Sequence, residues 1–262
     1  MFSNTERCVY GKNQILEAVC QFRFPTILSI ETELPAKFQE AIRDVFPRYE
    51  TRKEQPAPKV QITPGQPPKV EQLPPVTNHS FLTADGVWRI NMTRDFIALT
   101  TRKYTCWEDF ARMLDKPLGQ FIQLYKPACF DRVGLRYVNA VSRKELDLEE
   151  TPWRDLIESR YLGPMAEETV NEKAFARCTQ DLDMALSGSC RMKLHAGPGM
   201  VRKQGENDNE QRFVLDIDIS MGGNLQVNLA VGALSTLHTH AGNVFRGAIT
   251  DTLHDAMEPR EV

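Results

Sequence analysis

Period-two alternation recurs along this chain and restricts its fold more than any other feature. In "EAVCQFRF" (17–24), Ala18, Cys20, Phe22 and Phe24 fall on one side, and Glu17, Val19, Gln21 and Arg23 on the other. "DRVGLRYVNAV" (131–141) repeats the pattern, with Val133, Leu135 and Tyr137 opposed to Arg132, Gly134 and Arg136. Further strands are expected at 176–186, 190–197 and 211–219, with apolar rows at Leu182 and Met184, at Met192 and Leu194, and at Leu215, Ile217 and Ile219. Between the first two segments, "NHSFLTA" (78–84), "VWRINMT" (87–93) and "FIALTT" (96–101) read as a meander that turns at Asp85-Gly86 and near Arg94-Asp95. Strands with one apolar face belong in antiparallel sheets covered on one side only.

Helical periodicity supplies the cover. Phe38, Ala41, Ile42, Val45 and Phe46 make one stripe. Trp107, Phe110, Ala111, Leu114, Leu118, Phe121 and Ile122 make a longer one, which Thr105 and Glu108 should open as a capping box. Thr151 and Pro152 fit the start of a short helix through Leu156 and Ile157. A long C-terminal helix carries Leu234, Leu237, His238, Ala241, Phe245 and Ala248 on its apolar side. Residues 56–75 hold seven of the chain's sixteen prolines, which excludes a helix or a central strand there. That segment should cross the surface in extended form.

The expected fold is therefore α+β, with two mainly antiparallel sheet-and-helix halves and a long C-terminal helix. The first half spans 1–150, with the proline-rich crossing at 56–75. The second spans 151–262 and is closely associated with the first. Each half runs strands and then a helix laid across them, without a sequence repeat.

Composition narrows the partners. The formal charge is −3 over 262 residues, so the whole molecule has no general attraction for polyanions, and direct nucleic-acid binding is not expected. No apolar run approaches the length of a membrane span. The six cysteines are widely spaced and the N-terminal stretch lacks an apolar signal core, which points to a cytoplasmic protein with buried thiols. No Gly-x-Ser-x-Gly elbow, HExxH, Walker loop or Gly-x-Gly-x-x-Gly occurs, so no cofactor and no metal are expected from motifs. "HAGPGMV" (195–201) reads as a turn.

Three polar arrangements remain. Arg23, Arg132 and Arg136 form a candidate anion-binding set, with Gly134 leaving the backbone approachable and Glu17 as an internal neutraliser. Asp181 and Asp183, Lys193 and His195 beside Arg191, and Asp216 and Asp218 form acid, base and acid rows. Those rows suit either a carboxylate pair holding a divalent cation, with Lys193 or His195 near an anionic substrate, or a solvated charge ladder, and the ladder is the expected reading. In "HTH", His238 and His240 point about 200° apart on a helix and cannot share one ion, and His254 lies about 21 Å beyond His240 on a straight helix. His238 alone faces inward, as a buried hydrogen-bonding or binding residue.

At Tyr10, Arg23-Phe24, Arg132 to Asn139, and His238 with Phe245, the chain resembles a sporadically distributed family of mid-sized bacterial proteins. Gln14 departs from that pattern. The resemblance implies no reaction, because the biochemical role of that family is unassigned. The functional expectation is a ligand- or protein-binding protein whose partner is a small anion or a protein, a second copy of the chain included. An enzyme acting on a small anionic substrate is the first alternative, and a nucleic-acid-associated accessory protein the second.

Overall fold

The computed structural model describes residues 2–3, 7–61, 67–201 and 209–261. Its strands are β1 (Cys8–Tyr10), β2 (Ile15–Arg23), β3 (Arg48–Glu54), β4 (Lys59–Gln61), β5 (Lys69–Glu71), β6 (Val76–Leu82), β7 (Trp88–Met92), β8 (Phe96–Thr101), β9 (Phe130–Val141), β10 (Gln180–Ala185), β11 (Cys190–Met200), β12 (Gln211–Leu225) and β13 (Pro259–Glu261). The α-helices are α1 (Leu28–Thr32), α2 (Ala36–Ile42), α3 (Trp107–Tyr125), α4 (Trp153–Leu156), α5 (Ala230–Arg246) and α6 (Asp251–Ala256). The fold is α+β with antiparallel strand pairing, and α5 is its long C-terminal helix.

Nine strands form one sheet in the order β10-β11-β12-β9-β2-β8-β7-β6-β3. The two halves of the chain meet inside it, because β9 pairs with β2 on one side and with β12 on the other. Two runs of the chain follow one plan, the second beginning at β9 and so overlapping the half expected at 1–150. A leading strand (β2 or β9) is followed by a meander whose last strand (β8 or β12) returns to pair with the leader, and a helix (α3 or α5) then crosses the sheet.

The alternation read in the sequence sets the faces. Cys20, Phe22, Val133, Leu135, Leu215, Ile217 and Ile219 are all fully buried beneath the helices. Ring contacts tie helices to strands, with Phe121 of α3 against Phe24, Phe110 against Trp88, and Phe38 of α2 against Phe81. The opposite face of the sheet carries the polar rows. A bulge interrupts the parity of β2: Ile15 pairs with Asn139 but Glu17 pairs with Val138, leaving Leu16 extra. Ile15 thereby turns to the covered face, although period two from Glu17 would send it outward.

Several local expectations resolve differently. Gly197, Pro198 and Gly199 lie within β11 rather than in a turn. Proline is tolerated there because β10 pairs only as far as Ala196, so the edge at Pro198 needs no donor. The capping box does not form: Cys106 is the N-cap of α3, Thr105 donates to Asp109, and Glu108 pairs with Arg7. The terminal helix stops at Gly247, and Thr250 caps the separate α6. Residues 59–71 include the small β4–β5 hairpin, and β3 adds an edge strand that the sequence pattern does not announce. Pro64 in the proline-rich crossing, and most of the loop expected at 205–210, lie outside the described residues.

Because the halves share one sheet, they should unfold together. Ile217→Ala, at the β12 side of the seam, is expected to lower stability by about 2–5 kcal/mol in a single urea transition that near- and far-UV circular dichroism report alike.

Candidate functional site

The polar face of the sheet spreads its charges into cross-strand pairs. Arg136 Nε donates to Asp216 Oδ1 at 2.7 Å, and Arg132 Nη2 donates to Asp218 Oδ1 at 2.7 Å. Arg191 Nε donates to Asp183 Oδ1 at 2.5 Å, and His195 Nδ1 lies 2.8 Å from Asp181 Oδ1. Arg132 reaches its acid diagonally by lying over Gly134, where a Cβ would collide with its guanidinium. The space above that glycine therefore belongs to an arginine of the same strand. Arg23 stands directly opposite Arg132, and its Nε donates to Gln21 Oε1. Arg23, Arg132, Arg191 and Lys193 rim a broad open hollow together with Asp131 and Asp218. Arg136, Asp216, His195 and Asp181 lie outside that rim, and Glu17 pairs with Arg102. The candidate anion and enzyme residues thus form a ladder along the sheet rather than a converging set. Among the described residues, no group of three or more His, Cys, Asp and Glu side chains is placed to hold a metal ion. Nor is any described helix long and apolar enough to cross a membrane.

His238 lies on the other face, where α3 and α5 meet. It lines a slot whose floor is Tyr137 and Asn139 of β9, Ile217 of β12 and Ile15 of β2. One wall is the segment Tyr104 to Trp107 entering α3. The second is β1, and the third is the face of α5 bearing His238, Ala241, Gly242 and Phe245. The inner cavity measures about 100 Å³. An adjoining hollow of about 210 Å³, which shares His238, Gly242 and Phe245, continues toward Asn243 and Arg246.

Aromatic rings and one hydrogen-bonded chain build the walls. The Trp107 and His238 rings stack with centroids 4.5 Å apart and planes 7° from parallel. His238 Nδ1 lies 3.1 Å from the Tyr137 hydroxyl, which lies 3.4 Å from the Tyr104 hydroxyl. Tyr10 closes the outer side, with its hydroxyl 2.9 Å from His254 Nδ1 and its ring edge-on to Phe245. At the rim, Arg7 Nη1 donates to Glu108 Oε1 at 2.8 Å.

The hydrogen-bonded run of Tyr104, Tyr137 and His238 is neutral at physiological pH. Burial, with the nearby Arg7 charge, pushes the His238 imidazole down to about 4. Burial raises the Tyr137 hydroxyl well above its ordinary value and the Tyr104 hydroxyl to about 12. The ion pair with Arg7 lowers the Glu108 carboxyl to about 2, so both rim charges are internally matched.

Arg7, Tyr104 and Gly242 belong to this site without having stood out in the sequence, and Asn139 stood out there only through the family resemblance. Asn139 continues the inward row of Val133, Leu135 and Tyr137 and is 3% exposed. Its Nδ2 donates to Leu215 O at 3.0 Å and to Tyr137 O at 3.5 Å. A polar residue at an inward parity position was the available signal. Gly242 lies one turn after His238 in the interior of α5, where glycine costs about 1 kcal/mol relative to alanine. Gly242 is exposed, and apart from its chain neighbours and the backbone of its own helix no described atom lies within 4 Å of the position its Cβ would take.

No family model matches this chain, and no curated protein is similar to it.

Burial of neutral His238 links stability to pH. An imidazole titrates near 6.5 in the unfolded chain, so between about pH 6.5 and 4 the unfolded state binds the extra proton. Stability is fully present above 6.5 and falls as the pH drops toward 4, by on the order of 3 kcal/mol at the limit. His254 is shifted in the same direction and contributes to the same slope. His238→Gln should flatten most of the slope in that window, as measured by urea unfolding at a series of pH values.

Proposed function

We propose that this protein binds a small, uncharged molecule in the slot between β1, the start of α3 and α5. The observation that carries the reading is the slot itself, where the stacked Trp107 and His238 rings and the Tyr137 hydroxyl border space that no side chain fills. Gly242, an exposed position inside α5, lines that space without a side chain of its own. Long side chains on a helix lean toward its N-terminus, so any side chain at 242 would lie over the turn that bears His238. Glycine keeps that approach to His238 open.

The chemistry of the walls selects the ligand class. Tyr10, Tyr104, Trp107, Tyr137, His238 and Phe245 offer aromatic surface with a few fixed polar atoms, the usual make-up of a small-molecule pocket. With His238 neutral and Arg7 held by Glu108, a charged guest would be buried without a counter-ion. Tyr10, Tyr137, Asn139, His238 and Phe245 are among the residues that carry the likeness to the bacterial family, and all five line this slot. We extend the proposal to membership of that family and to a cytoplasmic setting, which six free thiols suit.

Substitution at one position separates fold from function. Gly242→Ala should raise stability by up to about 1 kcal/mol through helix propensity. Gly242→Leu should leave the circular dichroism spectrum intact while filling the slot. Native mass spectrometry of protein from its source cells should show a small organic adduct on the wild type and none on Gly242→Leu. The same adduct on both proteins, or none on either, would count against the slot.

A further inference from the structure

Resting on the slot as the binding site, we infer that its ligand is a single neutral ring bearing an N–H or O–H donor, which it presents to the side-chain oxygen of Asn139. Volume sets the ring. An apolar cavity of about 150 Å³ takes up benzene, and the inner cavity of about 100 Å³ is smaller and shares Tyr10, His238, Gly242 and Phe245 with the outer hollow. A single small ring is therefore the most that the floor can take.

Hydrogen-bond accounting sets the donor. The amide nitrogen of Asn139 is committed to Leu215 O and Tyr137 O, which fixes the orientation of the carboxamide. Its Oδ1 accepts no hydrogen bond among the described residues, although the residue is 97% buried and lines the cavity. Although the residue is almost wholly buried, this oxygen keeps contact with the cavity space, where a ligand donor can reach it. Neighbouring polar groups do not compete for the role. Gln14 is matched at both ends, its Nε2 donating to Lys12 O and its Oε1 accepting from Ser142 N. Asn13 donates to Tyr104 O and accepts from Ile15 N. Tyr104 is bound to Tyr137, and Tyr137 to His238 Nδ1. His238 Nε2 has no partner among the described residues, but a neutral imidazole can present it as donor or acceptor, so it accommodates a ligand without selecting one. Asn139 Oδ1 can only accept. A carboxylate at the same place would set acceptor against acceptor and bury a charge.

Phenol and toluene, ligands of one shape that differ in the donor, test the assignment by isothermal titration calorimetry. The wild type should bind both, and Gly242→Leu neither. The ratio of toluene Kd to phenol Kd should fall by about tenfold, or about 1.4 kcal/mol, in Asn139→Leu. That variant strips Leu215 O of its donor, so a second measurement uses the wild type alone. The Asn139 carboxamide carbon should shift in the NMR spectrum on saturation with phenol and stay in place with toluene. An unchanged ratio, or equal shifts with both ligands, overturns the donor assignment. If Gly242→Leu still abolishes binding of both in that case, the slot reading survives it. Failure of the wild type to bind either ligand removes the slot and the donor assignment together.

Discussion

The register of β9 is the constraint on which both faces of the molecule depend. This strand is hydrogen-bonded on both sides, to β2 and to β12, and its side chains alternate between two environments of opposite character. Outward, Arg132 and Arg136 reach acids on β12. Inward, Tyr137 and Asn139 make the floor of the slot. A slip of one residue would bury the arginines and expose the tyrosine, so pairing on both sides holds the strand against a large penalty. The bulge at Leu16 serves the same floor, because it turns Ile15 inward opposite Asn139 without disturbing the rest of β2.

The two faces handle polarity in different ways. On the open face, charge is matched strand to strand and hydrated, so each pair adds little to stability and does not draw the residues into a site. On the covered face, charge is excluded and polarity is carried by neutral groups: two phenols, an imidazole shifted to its uncharged form, and a carboxamide. Burial separates the two faces, because desolvation drives the proton off His238.

The slot exists because two runs of the chain repeat one plan. The crossing helices α3 and α5 converge over the central strands, where Trp107 stacks on His238 and leaves a gap that β1 borders on its outer side. Neither helix encloses the cavity alone. The small residues Ala241 and Gly242 keep the face of α5 low where a larger side chain would close it.

The sequence by itself determined the strand faces, the helical stripes and the inward setting of His238, because periodicity is a local property of the chain and burial follows it. It also held the charge rows, whose pairing required only that the strands be neighbours. Tertiary structure alone decided that the halves share one sheet, that the acids and arginines pair along it instead of converging, and that Arg132 covers Gly134. It also decided which inward polar atoms meet a partner. Asn139 and Gly242 show the limit most clearly. An asparagine on an apolar row and a glycine inside a helix are visible in the sequence, yet the free amide oxygen and the open space depend on segments more than a hundred residues apart. Sequence spacing does not carry such distances; packing sets them.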